Sequence, residues 1–136
     1  MAVFADTFYW IALANPKDDA HPRVLEFSRT LGSSLIVTTD EVLTEFLAFC
    51  ASYSQLRLAA AGAVQDILGA AHVRVIPQTR DSFLAGLELY RARPDKGYSL
   101  TDCISMQTMR REAISDVLTN DRHFQQEGFR VLFRDS

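Results

Sequence analysis

Apolar positions along this chain follow two alternating rhythms. Short, largely apolar runs occur at Ala2–Ala5, Leu35-Ile36-Val37, Val73–Ile76, Asp116–Thr119 and Arg130–Phe133, and each reads as a buried strand. Between them the apolar residues recur at helical spacing over Phe8–Ala14, Ala20–Leu31, Asp40 to about Ala51, Ser54 to about Ala71, Arg80–Arg93 and Ser99–Ala113. Punctuation supports these bounds. Asn15-Pro16 stops the first helix, Gly32 stands where a C-terminal cap belongs, and Thr39 and Ser54 stand where N-caps belong. Pro77 closes the third strand, and Pro94-Asp95-Lys96-Gly97 reads as a turn. Strands separated by helices predict an α/β fold whose sheet is mostly parallel, with helices on both faces.

Length and composition narrow the class. With 136 residues, 48% hydrophobic and 23% charged, the chain reads as one globular domain, residues 1–136, without a linker, repeat or low-complexity tract. Its longest uncharged stretch, Phe46 to Leu56, is eleven residues, well short of the ~20 a membrane-spanning helix needs. The start, Met1 to Asp6, has no basic segment and reads as no signal peptide. Cys50 and Cys103 sit in helical apolar patterns, as reduced core thiols do, and a cytoplasmic protein is expected. A net charge of −3 argues against coating nucleic acid by bulk electrostatics. The charge is uneven, however: residues 1–68 hold four basic and eight acidic side chains, and residues 69–136 hold ten and nine.

In open α/β sheets, ligands sit beyond the carboxyl ends of the strands. Asp6 ends the first strand, Asp121 follows the fourth, and Asp102 lies in the first turn of the helix before the fourth. Each has a second reading. Asp6 and Asp121 fit as N-caps of following helices, and Ser99-Leu100-Thr101-Asp102 has capping-box spacing. A fourth acid, Glu45, lies among Leu43, Phe46, Leu47 and Phe49, beyond the first turn where the helix dipole favours Asp40 and Glu41. It reads either as part of an exposed stripe with Glu41 or as an acid pointing into the crevice.

Taken together, the four acids point to a cation. Two carboxylates ~5 Å apart repel by about 3 kcal/mol at an effective dielectric near 20, so gathering four calls for a counter-charge. Hard divalent cations such as Mg²⁺ or Mn²⁺ supply it, and they activate water for attack on a phosphodiester. His21, His72 and His123 lack the spacing of a zinc site. No P-loop, G-x-G-x-x-G or G-x-S-x-G segment occurs.

Val3-Phe4-Ala5-Asp6-Thr7, Leu43-Thr44-Glu45, Tyr98-Ser99-Leu100-Thr101-Asp102-Cys103 and Val117-Leu118-Thr119-Asn120-Asp121-Arg122-His123-Phe124 resemble, in order and spacing, the signature segments of PIN-domain proteins. Among these the chain looks most like the compact VapC-type toxins of prokaryotic toxin–antitoxin pairs. The resemblance implies a Rossmann-like α/β/α sandwich, a Mg²⁺- or Mn²⁺-dependent endoribonuclease, an antitoxin partner and a homodimer. It also implies Asp6, Glu45, Asp102 and Asp121 as catalytic acids, with Asp6 and Asp102 the principal metal ligands and Asp121 a further one. Thr7, Ser99 and Thr119 would be hydroxyls behind those ligands, and Lys96 and Arg122, nearest the motifs, would hold the RNA backbone. Other acidic α/β classes fit less well. A receiver-type domain needs an Asp where Val75-Ile76-Pro77-Gln78 stands, and a haloacid-dehalogenase-like phosphatase needs one at Phe8. A non-catalytic PIN-like RNA-binding or scaffold module remains the alternative, since one fold serves both.

Overall fold

The computed structural model describes residues 1–135. Its strands are β1 (Ala2–Ala5), β2 (Leu35–Thr39), β3 (Val73–Ile76), β4 (Asp116–Leu118) and β5 (Arg130–Val131). Its helices are α1 (Thr7–Ala14), α2 (His21–Thr30), α3 (Asp40–Phe49), α4 (Ser54–Gly69), α5 (Arg80–Ala92), α6 (Leu100–Arg111) and α7 (Arg122–Gln126). The strands form one sheet in the order β3-β2-β1-β4-β5, and every pairing is parallel. The α/β reading therefore holds, and the sheet is wholly rather than mostly parallel.

The reason is visible in the strands themselves. Val3, Phe4 and Ala5 in β1, Ile36 and Val37 in β2, and Val117 and Leu118 in β4 are buried, as expected of strands covered on both faces. Chain order runs outward from β1 through β2 to β3, then returns to the other side of β1 for β4 and β5. That reversal opens a crevice at the C-terminal ends of β1 and β4, the switch point where α/β sheets bind ligands.

Helix ends agree with the sequence in most places. Thr39 caps α3 by accepting the Val42 N–H, and Gly32 follows α2 with φ of 57°. Ser54 is not a cap. The N-cap of α4 is Tyr53, which makes no side-chain cap bond, and Ser54 is the first helical residue. The apolar rhythm assigned no helix between the last two strands, yet α7 fills that gap; five residues are too few to register a period. The fifth strand stops at Val131, short of the expected Phe133, whose ring turns inward against Phe8 and Phe27. Between α5 and α6 the backbones approach so closely that a Cβ on Gly86 would lie 2.3 Å from Ile104 Cγ1. Cys50 and Cys103 are free and buried, and among the described residues no helix is long and apolar enough to cross a membrane.

Candidate active site

A cleft of about 510 Å³ opens at the switch point, lined by Asp6, Glu45, Asp102 and Asp121 together with Thr7, Phe8, Thr119, Asn120, Arg122, His123 and Gln126. Four elements thus bring four carboxylates to one place. Asp6 ends β1, Glu45 lies in α3, Asp102 opens α6 and Asp121 precedes α7.

The two readings of the aspartates separate once the bonds are seen. Asp6 occupies the N-cap position of α1 but makes no side-chain cap bond. Its Oδ2 accepts the Thr119 hydroxyl at 2.8 Å, while Oδ1 is buried with no hydrogen-bond partner among the described residues. Asp102 does complete a capping box. It accepts the Ser99 N–H at 3.1 Å, and the Ser99 hydroxyl oxygen accepts the Asp102 N–H at 3.0 Å. Asp121 is a working N-cap for α7, accepting the His123 N–H at 2.9 Å. Capping and a place in the cleft are therefore compatible, because each cap bond occupies one carboxylate oxygen. All three aspartates stand at helix N-termini, whose positive ends offset part of their mutual repulsion.

Glu45 is held differently. It accepts a hydrogen bond from the Thr7 hydroxyl, which turns it toward the end of β1. Glu41, one turn earlier on α3, accepts the Ser82 hydroxyl at 2.8 Å and ties α3 to the start of α5. The two glutamates do not share an exposed stripe.

Electrostatics carry the mark of the crowding. Burial raises the Asp6 carboxyl to about 7, and the charges of Asp102 and Glu45 add to the rise against the Thr119 and Thr7 hydrogen bonds. Burial also raises Asp102, helped by Asp121 and Glu45 and opposed by the Ser99 bonds. A cation would offset both the burial and the mutual repulsion of these carboxylates.

The tightest grouping includes a residue to which the sequence assigned no role. Ligand atoms of Asp102, Asp121 and His123 all lie within 4.8 Å of one another. His123 Nδ1 is 3.4 Å from Asp121 Oδ1 and 3.9 Å from Asp102 Oδ2. The available signal was its place two residues after Asp121, on the first turn of α7. A search for zinc-like histidine spacing passes over it, because its companions are carboxylates.

Among the two cations expected to hold RNA, Arg122 lines the cleft and is exposed. Lys96 does not line it; its ammonium lies 3.5 Å from Asp95 in the α5–α6 turn.

The fold and the cleft together define a Rossmann-like α/β protein with an acidic pocket at its switch point. The PIN domain family model matches residues 3–129, and the chain belongs to that family. Its structure is similar to that of Mycobacterium tuberculosis VapC20, described as a sarcin–ricin loop cleaving toxin. Identity is 26%, coverage is 93% of this chain and 95% of that one, and the TM-score is 0.84. Two further structures share the fold. VapBC2 from Rickettsia felis, bound to a DNA fragment from its promoter, has 16% identity over 96% of this chain and 97% of that one, with a TM-score of 0.67. FitAcB from Neisseria gonorrhoeae has 14% identity over 96% of each chain, also with a TM-score of 0.67. No curated protein sequence matches the chain.

Proposed function

We propose that this protein is a Mg²⁺- or Mn²⁺-dependent endoribonuclease, the toxin of a toxin–antitoxin pair. The observation that carries the reading is the buried Asp6 Oδ1, without a hydrogen-bond partner among the described residues, in a cleft with three more carboxylates. A stability argument leaves such an atom unexplained, whereas a hard cation takes carboxylate oxygens as its preferred ligands. Asp6, Asp102 and Asp121 would hold the ion, and His123 stands within 4.8 Å of the ligand atoms of Asp102 and Asp121. Bound there, the ion would supply an activated water and neutralise charge on the phosphate oxygens.

The chain's own residues do the rest. Glu45 or Asp121 accepts the proton of the attacking water as its oxygen bonds to phosphorus, and the leaving oxygen takes a proton from solvent water as its bond breaks. Thr7 orients Glu45 through its hydroxyl, and Thr119 does the same for Asp6. Arg122 at the rim supplies a cation for a backbone phosphate. Similarity to VapC20 makes a structured RNA of the sarcin–ricin loop type the first substrate to test. An antitoxin chain and a second copy of this chain are the proposed partners.

The test is incubation of the purified protein with end-labelled sarcin–ricin loop RNA and a panel of unrelated RNAs, with Mg²⁺, Mn²⁺ or EDTA. Site-specific cleavage that stops in EDTA is expected. Cleavage persisting in EDTA would remove the metal from the mechanism. RNA bound but left intact throughout would favour the non-catalytic module.

A further inference from the structure

The short helix α7 carries Asp121 and His123 at one end and cannot hold itself in place. Its five residues form little more than one turn, too few for a helix to persist on its own hydrogen bonds. Its C-cap residue, Glu127, stands at the other end and does not line the cleft, and its side chain is only 5% exposed.

Every polar contact of that carboxylate leads to another part of the fold. Oε2 accepts Arg93 Nε–H at 2.9 Å and the Tyr98 hydroxyl at 2.9 Å. Oε1 accepts Arg110 at 2.8 Å and the second Arg93 nitrogen at 3.4 Å. Arg110 also donates to the Glu127 backbone carbonyl at 3.2 Å and lies over the Phe129 ring. Arg93 is the C-cap of α5, Tyr98 lies in the α5–α6 connection and Arg110 is near the end of α6. One buried carboxylate thereby fastens α7 to three points of the α5–α6 pair.

Tyr98 continues the chain of contacts back to the cleft. It is buried, immediately precedes the Ser99–Asp102 capping box, and its ring centroid lies 5.1 Å from that of His123 at a 58° tilt. The same phenol therefore touches Glu127 with its hydroxyl and His123 with its ring. The carboxylate is 5% exposed while Arg93 and Arg110 remain 39% and 40% exposed, so the cluster fixes where α7 meets the α5–α6 pair at the edge of the fold.

We propose that Glu127 is a positioning residue of the active site, which acts through Tyr98 and the two arginines to set His123 and Asp121 of α7 against Asp102 of α6. The inference rests on the nuclease reading for its kinetic consequence, while its structural consequence can be read without RNA. Partners that orient metal-holding side chains typically change metal affinity or activity 10–100-fold when removed.

The experiment uses the full chain with Glu127→Gln, which keeps the shape and removes the charge, and Tyr98→Phe, which keeps the ring and removes the hydroxyl. Three measurements are made: Mn²⁺ affinity, the kinetics of RNA cleavage (kcat and KM), and the ¹⁵N-coupled ring resonances of His123. Both variants should weaken Mn²⁺ binding and lower kcat by about tenfold or more, leave KM within about twofold, and shift the His123 signals. In a His123→Ala background the same substitutions should add much less, since part of what they position has been removed. Glu112→Gln, which breaks the ion pair with Arg74, is the control expected to leave all three unchanged.

A folded Glu127→Gln protein with lower thermal stability but unchanged kcat, Mn²⁺ affinity and His123 resonances would overturn the proposal. Should that variant fail to fold, Tyr98→Phe decides by the same readouts. If the wild type neither binds Mn²⁺ nor cleaves RNA, the nuclease reading fails. The His123 resonances then decide the positioning role alone: shifted in both variants they support it, unshifted they overturn it.

Discussion

Thr119 donates its hydroxyl hydrogen to Asp6 Oδ2 at 2.8 Å, joining residues 113 positions apart at the seam between β4 and β1. The same hydroxyl oxygen accepts the Asp121 N–H at 3.2 Å. One threonine therefore spaces two of the cleft's carboxylates, and Asp6 Oδ1 is left without a hydrogen-bond partner among the described residues.

Asp6→Asn and Asp102→Asn preserve size while removing ligand charge, so cleavage should fall by more than about a hundredfold in each with the fold retained. Glu41→Gln can still accept from Ser82 and should stay within about twofold of wild type. Initial rates on one RNA substrate check this. Equal losses from Glu41→Gln and Glu45→Gln would show that α3 contributes the wrong glutamate to this account.

The metal-free protein should be more stable below pH 7 than above it. Asp6 titrates at about 7 when folded against 3.8 unfolded, so the folded state binds the extra proton across that window. Stability then rises as pH falls from about 7 toward 3.8, and the raised Asp102 adds in the same direction. Glu127 has the opposite sign. Burial pushes it up, but the hydrogen bonds from Arg93, Arg110 and Tyr98 bring it down to about 2 from 4.5, so its contribution is lost as pH falls through that lower range. Thermal unfolding in EDTA should show both arms, with Asp6→Asn flattening the upper and Glu127→Gln the lower. Mn²⁺ should raise the melting temperature more at pH 8 than at pH 5, where protons compete for the ligands.

Arg122→Ala should weaken RNA binding and reduce the slope of log affinity against log salt by about one, as loss of one phosphate contact does. Lys96→Ala should change neither, because its ammonium faces Asp95 outside the cleft. Salt titrations of RNA binding by both variants distinguish them. A larger effect from Lys96 would mean that the strand leaves the cleft over the α5–α6 turn.

Gly86→Ala should destabilise the protein by about 1–3 kcal/mol, since the added methyl would meet Ile104 Cγ1 at 2.3 Å and force α5 away from α6. Denaturant unfolding reads it directly. The helix preference of alanine works against this loss, so a stabilised variant would mean the two helices separate without cost.

A homodimer is expected from the aromatic and aliphatic side chains that the core leaves out. Tyr9, Trp10 and Phe46 are buried, and Phe8 and Ile11 pack on the core. Phe49, Tyr53 and Leu58 are 60%, 72% and 74% exposed. Light scattering at tens of micromolar should give twice the 15.3 kDa chain mass, and a monomer mass would count against it.

What the sequence determined by itself is the local part of this protein. Short apolar runs specify strands, the central ones buried on both faces, and an alternation with helices leaves a parallel sheet as the economical arrangement. Acids at strand ends were legible as candidates for the same reason, because the fold class says where strand ends point. Which acid does what was decided only in three dimensions. Asp102 and Asp121 are caps as well as cleft residues, whereas Asp6 holds a cap position without capping, and nothing local separates these cases. Glu41 and Glu45 part ways because Ser82 and Thr7 reach them from other elements. His123 and Glu127 stayed unread because their partners come from α5, α6 and the turn between them, brought beside α7 by the insertion of β4 next to β1. Periodicity reports which face of an element is buried, but a carboxylate's charge and direction depend on side chains that only the strand order brings within reach.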